Sequence, residues 1–358
     1  MLPDGRAVED LIGIDHPIVQ GPFGGGLSTV ALAAAVSDAG GLGSFGAHIL
    51  EPGEITALVA DLAAATTKPF AVNLWVPQPG EDIRPSPEEF AAHVERIRPV
   101  LDELGLPEPD AAAPFGPSFP AQAEALLAAA PPVMSFVMGV PPGGVITEAR
   151  RRGIVTIGTA TTVDEAVAIE AAGIDAVVAS GSDAGGHRGA FLRPVAESLV
   201  GTFALVPQVA DAVSIPVIAA GGIADGRGVA AALTLGADGV QIGTGFLATA
   251  ESGASAVHKA ALHGPDAKVT VLTRLFSGRP ARAIPNRLTR ELAAHEADVP
   301  PYPVQSALML PIRHAAGRGG QADFVNLWAG QAAPLTSARG ARDYIDVLVK
   351  ETEAALRR

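Results

Sequence analysis

The sequence predicts an α/β protein built on a (β/α)8 TIM barrel, with a smaller, mainly helical second domain. Three observations carry this. One phrase recurs: an Ala-rich helix, a glycine that stops it, a short apolar strand, and more glycine. The copies at 166–181 (AVAIEAAGIDAVVASG) and 229–244 (VAAALTLGADGVQIGT) superpose Gly173 on Gly236, Asp175 on Asp238 and Val177 on Val240. Looser copies lie at 33–46 and 149–159. The strands in these phrases are too apolar to have a wet face, as in a parallel sheet covered by helices. Eight such strands can be counted, and eight alternating units point to a barrel. A doubly wound open sheet is the alternative, because closure leaves no mark in the sequence.

In chain order the strands fall at about 17–20, 42–46, 69–74, 132–138, 154–158, 175–180, 215–220 and 238–243. Helices between them include 28–39, opened by Ser28 or Thr29, then 54–65, 88–104, 121–130, 162–172 and 226–235. The glycines that follow helices suit the left-handed position after a C-cap. Thr162 and Glu165 have the S/T-x-x-E spacing of a capping box, which marks the start of their helix.

Two stretches break the repeat. Residues 77–87 and 107–120 are proline-rich and flank a charged helix, so the third βα connection is expected to carry an insertion over one barrel end. Beyond about 250 the alternation fades. Residues 251–334 read as the smaller domain capping the active site. The barrel then comprises 1–250 plus a C-terminal segment from about 335 to 358, with helix 339–356 returning to it. Arg274, Arg279, Arg282, Arg287 and Arg290 cluster in the smaller domain. They either bind an anion or, as such clusters more commonly do, pair with carboxylates, here Glu291 and Glu296.

Composition narrows the function. Of the 358 residues 48% are hydrophobic and 18% charged, which is ample for a large core. The formal net charge of -13 argues against a nucleic-acid backbone or an anionic membrane as partner. The absence of cysteine removes disulfides and thiolate chemistry and suits a reducing cytoplasm. Residues 1–6 begin no signal-like apolar segment, and no uninterrupted apolar run reaches membrane-spanning length. A cytoplasmic enzyme acting on a small molecule is expected, and a homodimer is compatible with it.

Barrel chemistry sits at the C-terminal strand ends. Those ends carry Pro22, Phe23 and Gly24; Ser44, Phe45 and Gly46; Asn73; Ser135; Gly158; Ser180; Gly221 and Gly222; and Gln241, Gly243 and Thr244. The last two sets end strands seven and eight, where barrels commonly hold a phosphate on backbone amides and a helix N-terminus. The sixth strand runs into 180–191 (SGSDAGGHRGAF), in which Gly185 and Gly186 precede His187. A glycine-dense loop bearing one imidazole can bring a base close to a ligand. The G-x-G-x-x-G match at 41–46 is not a dinucleotide site, because it follows a helix and its interior is itself a strand. Among the eight histidines none has H-E-x-x-H spacing, so no metal site is expected. His48 is expected to be structural. No lysine ends a strand (Lys68 precedes the third), which disfavours a Schiff-base aldolase.

Taken together these residues resemble the nitronate monooxygenase family of FMN-dependent (β/α)8 enzymes. The resemblance runs through 20–25 (QGPFGG), 72–74 (VNL), 135–141 (SFVMGVP), 181–189 (GSDAGGHRG), 220–223 (AGGI), 241–244 (QIGT), 277–282 (SGRPAR) and 328–331 (WAGQ). The AGGH loop is the most specific part. The chain departs from the usual pattern in Phe23, where the family has Met. It departs also in Asp183, often Glu, and in having only two tyrosines, Tyr302 and Tyr344.

The resemblance implies FMN with its phosphate on Gly222, Gly243 and Thr244. Pro22, Phe23 and Gly24 would flank the ring, Asn73 would hydrogen-bond it, and Gln331 would reach back from the tail. Ser135, Gly158, Ser180, Gly185, Gly186, Gly221 and Gln241 would complete the cofactor site, with His187 as catalytic base. It implies oxidation of alkyl nitronates, and of nitroalkanes, by O2 to a carbonyl compound and nitrite. The alternative is an NAD(P)H-dependent flavin reductase acting on a quinone or an enoyl thioester.

Overall fold

The computed structural model describes residues 7–81, 83–110 and 115–357. The reading of residues 1–6 and part of the proline-rich 107–120 stretch therefore lie outside the described residues. Eight strands form one all-parallel sheet: β1 (Ile18–Gln20), β2 (Gly43–Gly46), β3 (Phe70–Trp75), β4 (Val133–Val137), β5 (Val155–Ala160), β6 (Ala176–Ser180), β8 (Val217–Ala220) and β9 (Gly239–Ile242). The two-residue β7 (Gly186–His187) lies outside it. Pairing runs β1-β9-β8-β6-β5-β4-β3-β2. Closure comes from one bridge between Val19 and Leu42, where Gln20 N donates to Leu42 O and Leu42 N to Ile18 O, each at 2.9 Å. The sheet is thus a barrel, and the open-sheet alternative falls.

Side chains alternate along each strand, so each serves two cores. Val19, Ala71, Val133, Ile157, Val178 and Ile218 pack together inside the barrel with Val8 and Ile12 of the first helix, Ala7–Ile12. Their neighbours Val72, Leu74, Val177, Ala179 and Val240 pack instead with the surrounding helices.

The repeated aspartates share one task. Asp175 Oδ2 accepts from Thr156 N and Asp238 Oδ2 from Val217 N, each at 2.8 Å. Each ties the entrance of its strand to the start of the neighbouring one. The segment 41–46 holds β2, as its order in the sequence required.

A separate apolar cluster lies over the C-terminal strand ends. The helix Pro87–Leu104 contributes Phe90, Val94 and Ile97, and the helix Val304–Gly319 contributes Leu308, Met309 and Ile312. The insertion after β3 therefore packs with residues 247–333. That region is less purely helical than its sequence suggests. It holds β10 (Val271–Thr273) and β11 (Ala281–Ala283), which join β7 in a three-stranded antiparallel sheet. The last helix, Ala341–Leu356, packs Tyr344, Ile345 and Leu348 into the barrel's outer core. Among the described residues no helix is long and apolar enough to cross a membrane.

Candidate active site

A cavity of about 610 Å³ opens at the C-terminal ends of the barrel strands, within the range of small-molecule and cofactor sites. The predicted residues Pro22, Phe23, Gly24, Asn73, Ser180, Gly185, Gly186, His187, Gly221, Gly222, Gln241, Gly243 and Thr244 all line it.

Three others do not. Ser135 is buried behind the wall, where its Oγ accepts from Asn73 Nδ2 at 3.0 Å, so it orients Asn73. Gly158 faces outward, since a Cβ there would lie 2.8 Å from Ile169 in the covering helix; Thr159 lines the cavity in its place. Gln331 is exposed; its backbone N donates to Asp183 O at 3.0 Å, and its neighbours Gly330 and Ala332 reach the cavity.

The rim is nearly bare backbone. Gly221 and Gly222 have φ of +107° and +69°, a region that side-chain-bearing residues enter at a cost, and they turn the chain sharply after β8. The helix Thr244–Leu247 begins after Gly243 at the same edge, so its first-turn amides lack intrahelical acceptors. Met138, also on the wall, holds φ +73°, local strain of the kind that gathers at functional sites.

His187 is fixed from both sides. On β7 its backbone pairs with Ala281 of β11, and Arg188 N donates to Pro280 O at 2.9 Å. The buried Arg188 ties the loop to the barrel, its guanidinium donating to Gly181 O at 2.6 Å and Ser180 O at 2.7 Å. His187 Nε2 lies 2.8 Å from Ser277 Oγ. With that hydroxyl turned to Arg279 O at 3.2 Å, Nε2 donates to it and Nδ1 is the ring's accepting nitrogen. Burial, then the charges of His48, Arg279 and Arg313, hold the His187 pKa well below its ordinary value. The ring is therefore neutral, and its chemistry is that of a base.

The remaining wall is aromatic, and most of it escaped the sequence reading. Trp75 meets His187 edge-on at 4.7 Å and Tyr302 at 5.4 Å, and Trp328 meets His187 at 5.2 Å. His48 stacks on Trp75 at 3.8 Å with its Nδ1 buried and unpartnered, and burial with the Arg279 and Arg313 charges lowers its pKa to about 3. It lines the cavity while packed against Trp75. Arg279 stands over Trp75 and Tyr302 and pairs with Glu81 of the β3 insertion, clamping that insertion to the cap. Within the arginine cluster, Arg287 pairs with Glu103 and Glu291. Glu296 instead accepts the Arg274 backbone amide. Arg282 is held by Ser182 O at 2.9 Å and Thr270 Oγ1 at 3.0 Å. Trp75 carried one signal, its place at the C-terminal end of β3, where barrel chemistry sits.

The chain is similar over nearly its whole length to known proteins. The nitronate monooxygenase family model matches residues 6–351. A probable nitronate monooxygenase of Staphylococcus aureus (strain Newman) is 39% identical over 342 residues, 95% of each chain. A nitroalkane oxidase from Streptomyces ansochromogenes superposes with a TM-score of 0.89 at 40% identity, covering 98% of both chains. FabK from Thermotoga maritima gives 0.76 at 31% identity over 98% of this chain and 96% of its own.

Proposed function

The chain belongs to the nitronate monooxygenase family, and from that premise we propose that it is an FMN-dependent oxidoreductase. Its reaction is the oxidation of alkyl nitronates, and of the parent nitroalkanes, by O2 to a carbonyl compound and nitrite.

The residues present suit the cofactor. Gly186 has φ +72° and open space where a Cβ would stand, a gap in the wall beside His187. Gly222, Gly243 and Thr244 offer backbone amides at one edge for the phosphate. Pro22, Phe23 and Gly24 supply one flank for a flat ring, and Asn73, already oriented by Ser135, a hydrogen-bonding amide. Ser180, Gly185, Gly221 and Gln241 complete the cradle. Bound there, FMN supplies the redox chemistry, while the protein orients and polarises.

The chain's own part is proton handling and exclusion of water. Nδ1 of His187 accepts the proton lost from the carbon beside the nitro group of a neutral nitroalkane. A nitronate, already deprotonated, needs only to be held. Trp75, Tyr302 and Trp328 keep water from the reacting carbon.

The observation that carries this reading is a single imidazole set among bare glycine backbones at the mouth of a closed barrel. The purified protein is expected to be yellow and to release FMN on heating. His187→Asn should keep the flavin and lose about 10²–10⁴-fold in turnover of neutral nitroalkanes, the usual worth of a positioned base. A colourless protein that binds no added FMN would overturn the reading, and unchanged kinetics in the variant would remove the catalytic role of His187. Rapid anaerobic bleaching of the flavin by NAD(P)H would favour a reductase of quinones or enoyl thioesters instead.

A further inference from the structure

Arg313 differs from the other cations near the cavity. It sits on the helix Val304–Gly319, whose Leu308, Met309 and Ile312 face the apolar core, and it lines the cavity beside Tyr302, Ser306 and His314. Among the described residues its hydrogen bonds run only to its own helix: Nε to Met309 O at 3.4 Å, and Nη2 to Ser306 O at 3.3 Å and Ser306 Oγ at 3.4 Å. Those lengths are at the weak end of the range.

Its neighbours have firmer partners. Arg279 has Glu81, Arg282 has the Ser182 carbonyl, and Arg188 has two carbonyls at 2.6 and 2.7 Å. None of the described carboxylates forms an ion pair with Arg313. Two acidic residues share the cavity lining, Glu51 and Asp110. Glu51 is taken up in capping the helix Pro52–Ala65, and Asp110 is engaged within the chain. Burial lowers the Arg313 pKa to about 10, so the group stays charged at neutral pH. A half-buried cation without a counter-charge is costly unless a partner completes it.

We propose that Arg313 is the anion-binding residue of this cavity, taking a small planar oxyanion through its guanidinium fork. The fork matches two oxygens on one planar centre, which both a nitro group and a nitronate present. Resting on the function proposed above, Arg313 holds the substrate's nitro oxygens and favours the anionic nitronate over the neutral nitroalkane of the same skeleton.

The chain supplies its own probe. Its two tryptophans, Trp75 and Trp328, both line the cavity, so intrinsic Trp fluorescence reports only there. Nitrate, planar and unreactive, is titrated into the flavin-loaded protein and into Arg313→Lys and Arg313→Gln, each checked for flavin content and circular dichroism. Saturable nitrate binding is expected in the parent. It should weaken by about tenfold or more in Arg313→Gln and by about threefold in Arg313→Lys, which keeps the charge but loses the fork. In steady state, Arg313→Gln should raise KM for ethylnitronate about tenfold more than for nitroethane. No nitrate binding in the parent, or equal binding in Arg313→Gln, would overturn the proposal. Arg313-dependent nitrate binding in a protein that turns over neither nitro compound would uphold the anion site and remove the nitronate assignment.

Discussion

At His187 the protein holds a titratable ring where its charged form is penalised twice, by burial and by the cations Arg279 and Arg313. Both effects lower the pKa, so the neutral form persists well below the pH at which a free imidazole is half protonated, about 6.5. For neutral nitroalkanes, kcat/KM should therefore stay level as pH falls through 6.5, with the acid limb displaced to lower pH. A limb centred at 6.5 or above in a pH-rate profile of the loaded enzyme would refute this. His187 was legible in the sequence, because a single imidazole in a glycine-dense loop after a buried strand is a local pattern. Arg313 was not, because its presence at the site depends on how the cap docks on the barrel and nothing within a few residues of it records that; Trp75 ends β3, one residue beyond the strand expected from the sequence.

Among elements, the loop carrying His187 shows how a correct local signal can hide a larger role. The T-x-x-E spacing marked the start of the helix Val163–Ala171, and Thr162 Oγ1 does accept from Glu165 N at 3.3 Å. Glu165 does not close the box. Its fully buried carboxylate accepts from Thr161 N at 2.6 Å, Thr161 Oγ1 at 2.7 Å, Phe191 N at 2.6 Å and Leu192 N at 3.1 Å. It thereby pins the far end of the His187 loop to the barrel. Glu165→Gln keeps the volume but replaces one acceptor oxygen by a donor, stranding buried amides. A loss of about 1.5–3 kcal/mol is expected, the worth of hydrogen bonds to a charged group, read as a lowered urea midpoint. An unchanged midpoint would mean that the loop is held by Arg188 alone. Strand positions were readable throughout, because helix, glycine and apolar strand recur in one period. β7 and β11 were not, since strands of two and three residues are too short to leave a periodic trace, and β7 finds its partner about a hundred positions away in β11.

For the whole molecule, the buried imidazoles make folding sensitive to mild acid. His258 is sealed in the cap core with Nε2 2.9 Å from Trp328 O, and burial lowers its pKa to about 4. His48, at about 3, and His187, also depressed, border the cavity. In the unfolded chain all three regain a pKa near 6.5. Above that value neither state binds the protons, and stability is full. As pH falls from 6.5 toward the folded values, the unfolded chain takes up protons that the folded one refuses, so stability drops. Each such group contributes a slope approaching about 1.4 kcal/mol per pH unit. His258 alone sets the lower bound. All three together would give about 4 kcal/mol per unit, reached only where the cavity excludes water from the other two rings. Urea unfolding at pH 7.5, 6.5, 5.5 and 5.0 should thus show a midpoint that is flat at first and then falls, before most carboxylates begin to titrate. His258→Gln should remove one proton's worth of that slope whatever its effect on the midpoint at pH 7.5. Parallel curves for the parent and the variant would show that the imidazole is charged inside the cap.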